Sequence, residues 1–153
     1  MRVAVMGAGS FGTVLADVAA HNDCAVRLYA RNPDLVQVLN QSHRNPQYHP
    51  ELELHHQIHA TSDIAEAVEG ASLVLLSVPS KAMDGVCQTL APLLRPEVAL
   101  LSTTKGIREE GFRLMSQVIA EHLPNNPIGV LSGPNLAHEI AKRHLTASVV
   151  ASR

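Results

Sequence analysis

The stretch VAVMGAGSFGTVLA, Val3 to Ala16, limits what this chain can fold into more than any other feature, because it places glycines at positions 7, 9 and 12. The apolar run Val3 to Met6 reads as a short buried strand, and Phe11, Val14, Leu15, Val18 and Ala19 recur at helical spacing directly after the glycines. A G-x-G-x-x-G pattern that closes a strand and opens a helix is the context of a dinucleotide-binding turn. Gly7 allows the tight turn, Gly9 leaves no side chain in the path of a pyrophosphate, and Gly12 lets the helix lie close to the strand. The helix N-terminus then offers free N–H groups and the positive end of its dipole. The bland alternative is a tight βα turn without a ligand.

The rest of the chain continues the alternation. Ala25 to Ala30, Ser72 to Val78, Val98 to Ser102, Ile128 to Ser132 and Ala147 to Ala151 are brief and rich in Val, Leu and Ala, as expected of strands buried on both faces. Leu35, Val38 and Leu39, and later Leu114, Val118 and Ile119, mark the apolar stripes of two further helices. Such alternation predicts right-handed crossovers and one α/β domain spanning residues 1–153, a Rossmann-type doubly wound, mainly parallel sheet with helices on both faces. Asp34, after Pro33, belongs in the first turn of its helix, and Glu139 in the first turn after Pro134. Glu109 and Glu110 are expected to cap the helix that runs to His122, and His43 to Ala60 to form a loop ending in a short strand.

Charge and cysteine usage exclude several functions. A formal net charge of −2 offers no basic field for nucleic acid or an anionic membrane. Cys24 and Cys87 are far apart, without CxxC spacing, and read as reduced thiols of a cytoplasmic protein. The first apolar run is too short and too broken by glycine for a signal peptide or membrane span. His55, His56 and His59 lack an obvious fourth ligand and read as solvated loop histidines, so no metal is expected. No Ser-His-Asp or Cys-His arrangement can be assembled from spacing.

Ligands of open parallel sheets bind beyond the carboxyl ends of the strands, so the loops there are read together. The second strand, VRLYAR, ends in Arg31, where a guanidinium suits a ribose 2′-phosphate, so the cofactor is NADP or NAD. Pro79, Ser80 and Lys81 follow the next strand, Thr103, Thr104, Lys105 and Gly106 another, and Gly133, Pro134, Asn135 and Glu139 another again. Small polar groups, glycines and a cation therefore share one edge, which suits an anionic small molecule beside a nicotinamide.

Taken in order, GAGSFG, NPQYHPELEL, ATSDIAEAV, VPSKAM, STTKGI and SGPNLAHE make the whole chain resemble the amino-terminal half of the bacterial NAD(P)-dependent sn-glycerol-3-phosphate dehydrogenases. The resemblance implies an oxidoreductase that reduces dihydroxyacetone phosphate to sn-glycerol 3-phosphate for glycerophospholipid synthesis. It implies cofactor contacts at Gly7, Gly9, Ser10, Phe11, Gly12, Arg31, Pro79, Lys105 and Ala137, with Lys105 also reaching the substrate, and substrate-side positions at Gly133 and Asn135. Asn135 stands where many members have Ser or Thr, and His49, His55 and His56 where Leu and Pro are common. In the family an all-helical domain follows and supplies the principal catalytic lysine, so the expectation is a cofactor-binding half that holds nucleotide without turning substrate over. Two other readings share the glycine loop. One is the cofactor domain of another two-domain hydroxy-acid dehydrogenase, and the other an NAD(P)-sensing module that forms a homodimer through its last strand.

Overall fold

The structure is a computed structural model and describes residues 1–152. In chain order the elements are β1 (Arg2–Met6), α1 (Ser10–His21), β2 (Ala25–Tyr29), α2 (Pro33–Ser42), β3 (Ile58–Thr61), α3 (Ile64–Val68), β4 (Leu73–Leu76) and α4 (Met83–Leu90). They continue as β5 (Ala99–Ser102), β6 (Ile107–Arg108), β7 (Arg113–Leu114), α5 (Met115–His122), β8 (Ile128–Ser132), α6 (Ala137–Ala141) and β9 (Val149–Ser152). Seven strands form one sheet in the order β3-β2-β1-β4-β5-β8-β9, while β6 and β7 make a separate small hairpin. Every neighbouring pair in the sheet is parallel except β8 and β9. The first six positions have the doubly wound dinucleotide-binding order, with the topological switch between β1 and β4.

Strand alternation explains the two cores. Val3 and Val5 face α1 and α2, in a cluster with Ala16, Val26, Leu28, Leu39 and Ile58. Ala4 and Met6 face the other side, with Val74, Leu76, Met83, Leu90, Leu100 and Ile119. α2 and α3 begin as their sequences direct: Asn32 Oδ1 accepts from Asp34 N–H at 2.9 Å, and Asp63 Oδ1 from Ala65 N–H at 2.8 Å. The loop after α2 ends in a short strand, β3, as expected.

Four expectations need correction. Residues Glu109 and Glu110 do not cap α5. They lie in the turn of the β6–β7 hairpin, where Gly111 adopts φ +74°, and the Leu114 N–H at the start of α5 is instead accepted by Gln117 Oε1 at 2.9 Å. Leu114 falls outside the helix and is exposed, so the buried stripe is Met115, Val118 and Ile119. The last strand spans Val149–Ser152 rather than starting at Ala147, runs antiparallel at the sheet edge, and is exposed throughout. On α1 the fully buried positions are Gly12, Thr13, Val14, Ala16, Asp17 and Ala20, a face rotated away from the apolar stripe. Close helix–strand approach at Gly12 selects small side chains for that face, and Asp17 comes with them.

Candidate functional site

The glycine turn divides its labour as the spacing predicts. Gly7 adopts φ +115°, and a Cβ there would lie 2.6 Å from the Ser77 carbonyl oxygen. A Cβ on Gly12 would overlap the Gly7 carbonyl oxygen. Both glycines serve the packing of α1 on β1 and β4. Gly9 differs, since nothing lies within 4 Å of the position its Cβ would take, although its φ of −76° suits any residue. The open space beside it has the form of a cradle for a ligand that a side chain would fill.

No side chain caps α1 and its first turn holds no acid, in contrast to α2 and α3. The first N–H groups of the helix are thus left without an intrahelical acceptor and with no fixed negative charge to compete for them.

Gly9, Ser10 and Phe11 form one wall of a cleft of about 390 Å³ at the carboxyl edge of the sheet. Pro79 and Lys105 form a second wall, and Asn135 and Ala137 a third. Seven expected site residues from four separated segments therefore meet in one place. Among the described residues Lys105 is the one cationic side chain lining this cleft. Ser77, Val78, Thr103, Thr104 and Leu136 complete the lining. Thr103 Oγ1 meets Ser77 Oγ at 2.7 Å, and Thr104 Oγ1 donates to Val78 O at 2.7 Å, which ties the loop before Lys105 to the loop before Pro79.

The remaining expected residues lie elsewhere. Gly7 and Gly12 are beneath the cleft. Arg31 is exposed past the end of β2, outside the lining, and forms no hydrogen bond or ion pair among the described residues. Gly133 supports the third wall from behind, at φ +135°, where a Cβ would lie 2.7 Å from the Ala147 carbonyl oxygen. Asn135 is buried, its Nδ2 donates to Ser148 Oγ at 2.9 Å, and its Oδ1 has no hydrogen-bond partner among the described residues. A buried acceptor left open in a cleft wall is suited to a donor on a ligand.

Spacing alone does not single out Asn45. It is fully buried, and its Nδ2 donates to Ala8 O at 3.0 Å and to Thr13 Oγ1 at 2.8 Å, clamping the glycine turn from the loop after α2. His49, at φ +57°, brings Nε2 to 2.9 Å from Ser10 Oγ. The signal for Asn45 was present only as one letter of the NPQYHP segment.

The hairpin that follows Lys105 is anchored by charge. Arg108 Nη1 pairs with Asp84 Oδ1 at 2.8 Å and Glu121 Oε2 at 3.0 Å. Burial pushes the Asp84 carboxyl up, but hydrogen bonds from His122 and Arg108, with the guanidinium charge, hold it below its usual range. A larger cleft of about 640 Å³ lies at the opposite edge, where the chain enters β4 and β5. Its Glu66 and Arg95 are already paired, with Arg27 and Glu97. The smaller cleft is the candidate site, since it lies at the carboxyl ends of the strands. Among the described residues no group of three or more His, Cys, Asp or Glu is placed to hold a metal ion, and no helix is long and apolar enough to cross a membrane.

Residues 2–153 match the family described as the NAD-dependent glycerol-3-phosphate dehydrogenase N-terminus. The chain is 46% identical over 152 residues to a glycerol-3-phosphate dehydrogenase (NAD(P)+) of Corynebacterium aurimucosum, covering 98% of this chain and 46% of that protein. It is 45% identical over 150 residues to the enzyme of the same description from Azotobacter vinelandii, covering 98% of this chain and 44% of that one. The crystal structure of glycerol-3-phosphate dehydrogenase from Coxiella burnetii superimposes with a TM-score of 0.93 at 34% identity, over 99% of this chain and 46% of that one. The chain thus spans less than half the length of these relatives.

Proposed function

Since the chain belongs to the NAD-dependent glycerol-3-phosphate dehydrogenase family through that family's N-terminal region, we propose that residues 1–153 form the cofactor-binding domain of a cytoplasmic enzyme that reduces dihydroxyacetone phosphate to sn-glycerol 3-phosphate with NADPH or NADH. One observation carries this reading: the open cradle at Gly9, on the uncapped end of α1, belongs to one cleft with Lys105 and with Asn135, whose buried Oδ1 has no partner among the described residues.

The residues present fit a dinucleotide. The free N–H groups of the first turn of α1 would hold the pyrophosphate, with Ser10 and Phe11 beside it. Arg31 would meet a 2′-phosphate with a planar, permanently charged donor, which is why NADPH is accepted. Pro79 and Ala137 would bound the nicotinamide end. A bound reduced nicotinamide supplies a hydride to a carbonyl carbon. Lys105 holds positive charge where the carbonyl oxygen becomes an alkoxide and where substrate phosphate lies. Gly133 and Asn135 position the substrate, the first by setting the wall and the second through its free Oδ1. The cleft keeps ketone and donor in one orientation, the main requirement for transfer between two bound molecules.

The test is a titration of the 153-residue chain with NADPH and NADH, followed by addition of dihydroxyacetone phosphate. Saturable binding of either nucleotide at micromolar concentrations is expected, and absence of binding for both removes the reading. Turnover in the same tube would mean that Lys105 and its neighbours suffice or that a dimer completes the site.

A further inference from the structure

Helix α1 carries a carboxylate on its buried face that the proposed chemistry does not use. Asp17 is 1% exposed, and its two oxygens reach different parts of the chain. Oδ1 accepts from the His55 N–H at 2.9 Å, and Oδ2 accepts from Arg143 Nη2 at 2.7 Å, across 126 positions of sequence. His21, one turn further along α1, lies beside the pair, with Nε2 3.2 Å from Arg143 Nη2.

One partner belongs to the segment that lines the cleft and the other to the loop that clamps the glycine turn. The segment that delivers His55 also delivers Asn45 to the glycine turn and His49 to Ser10. The segment that delivers Arg143 includes Asn135, Leu136 and Ala137 in the cleft wall, and its helix α6 packs on α1. Arg143 adopts φ +60°, a left-handed conformation that disfavours an arginine. Its N–H is accepted by Ile140 O at 2.9 Å, so this residue ends α6 and turns the chain toward β9. A strained backbone and an ion pair to a buried carboxylate at one half-exposed residue mean that the pair holds the turn in place.

We propose that Asp17 is a positioning residue for the dinucleotide, a single buried carboxylate that fixes the Asn135 wall of the cleft and the loop clamped on the glycine turn relative to the first turn of α1. The proposal rests on the cofactor reading given above and deepens it. Asp17 touches no ligand. It acts through Arg143 on the Asn135 wall and through the His55 backbone on the Asn45 and His49 loop.

The experiment measures NADPH affinity and backbone hydrogen exchange on the 153-residue chain and three variants. Asp17→Asn keeps the shape and an acceptor for His55 but loses the charge that Arg143 needs. It should raise the NADPH dissociation constant roughly tenfold and speed exchange in 43–57 and 133–148, with β1 and β4 unchanged. Arg143→Gly removes the cation while placing the residue that tolerates φ +60°. It should weaken NADPH about fivefold with the thermal midpoint preserved, an outcome that a purely stabilising role does not produce. Arg143→Lys, which can still offer one N–H to Oδ2, should recover most of that loss. If Asp17→Asn does not fold, the two Arg143 variants decide. Faster exchange in both segments with unchanged NADPH affinity overturns the positioning role, and unchanged exchange overturns the tie itself. Failure of the unaltered chain to bind NADPH would instead remove the cofactor reading and the positioning role with it, while the exchange data still show whether the tie exists.

Discussion

β1 and the segment after β8 both pack on α1, yet they are held there by different forces. β1 lies between β2 and β4 with Val3, Val5 and Met6 at 1% exposure or less, so burial on both faces of the sheet fixes it. The segment after β8 ends in an edge strand whose Val149 and Val150 remain 66% and 58% exposed. Beyond the β8–β9 backbone pairing, that segment is held by a few polar ties, Asn135 to Ser148 and Arg143 to Asp17. Apolar burial responds to shape and volume and little to pH or charge, whereas a polar tie is lost with a single proton or side chain. The site therefore joins one rigid wall, set by packing, to one adjustable wall, set by electrostatics.

The sharpest way to break the rigid side is Gly12→Ala. The added Cβ overlaps the Gly7 carbonyl oxygen, and the expected cost exceeds about 4 kcal/mol. Urea unfolding checks this, and a shift within about 0.5 kcal/mol would show that α1 can move away from β1. Gly9→Val, three residues earlier, should do the reverse. Its Cβ meets no protein atom within 4 Å, so the unfolding midpoint should stay while calorimetry shows NADPH and NADH binding abolished. Retained binding would show that the nucleotide does not lie against this turn.

Arg31→Ala tests a contact that packing does not support at all. The loss of a charge-assisted phosphate contact is about 1.5–3 kcal/mol, so NADPH affinity should fall roughly 10- to 100-fold while NADH affinity stays nearly constant. Equal losses for the two nucleotides would end the 2′-phosphate assignment.

The smallest effect concerns pH on the adjustable side. Burial, with the neighbouring His56 and His21 rings, lowers the His55 pKa from 6.5 against the opposing pull of Asp17 and Asp23. The folded chain then binds that proton less readily than the unfolded chain, so stability falls as pH drops below 6.5 toward the lowered value. Asp84, whose pKa is depressed from 3.8, contributes stability that is lost only below that range. A thermal midpoint that declines between about pH 7 and about pH 5, and declines less in His55→Gln, is the expected result. An identical decline in both proteins would place the proton elsewhere.

Much of the fold could be read from neighbours in sequence. The order of strands and helices, the caps at Asn32 and Asp63 and the tasks of Gly7, Gly9 and Gly12 follow from periodicity, capping chemistry and steric need within a dozen residues. The exposure of the edge strand is not legible in the sequence, because Val-rich runs look alike in the centre and at the edge of a sheet. The place of Glu109 and Glu110 is not legible either, because the same acids serve a helix start or a hairpin turn, and Gly111 at φ +74° decides for the turn.

The sequence alone marks a dinucleotide turn on an α/β sheet and, one segment at a time, the residues expected to approach a ligand. That Lys105, Pro79 and Asn135 share a cleft with Gly9, that Arg31 lies outside it and that Asp17 is inside the protein follow from long-range packing. Local rules act through the 3.6-residue turn of a helix and the two-residue repeat of a strand. Asp17 and Arg143 are 126 residues apart, and their meeting depends on how closely α1 approaches β1, a distance set by the packing of the whole sheet.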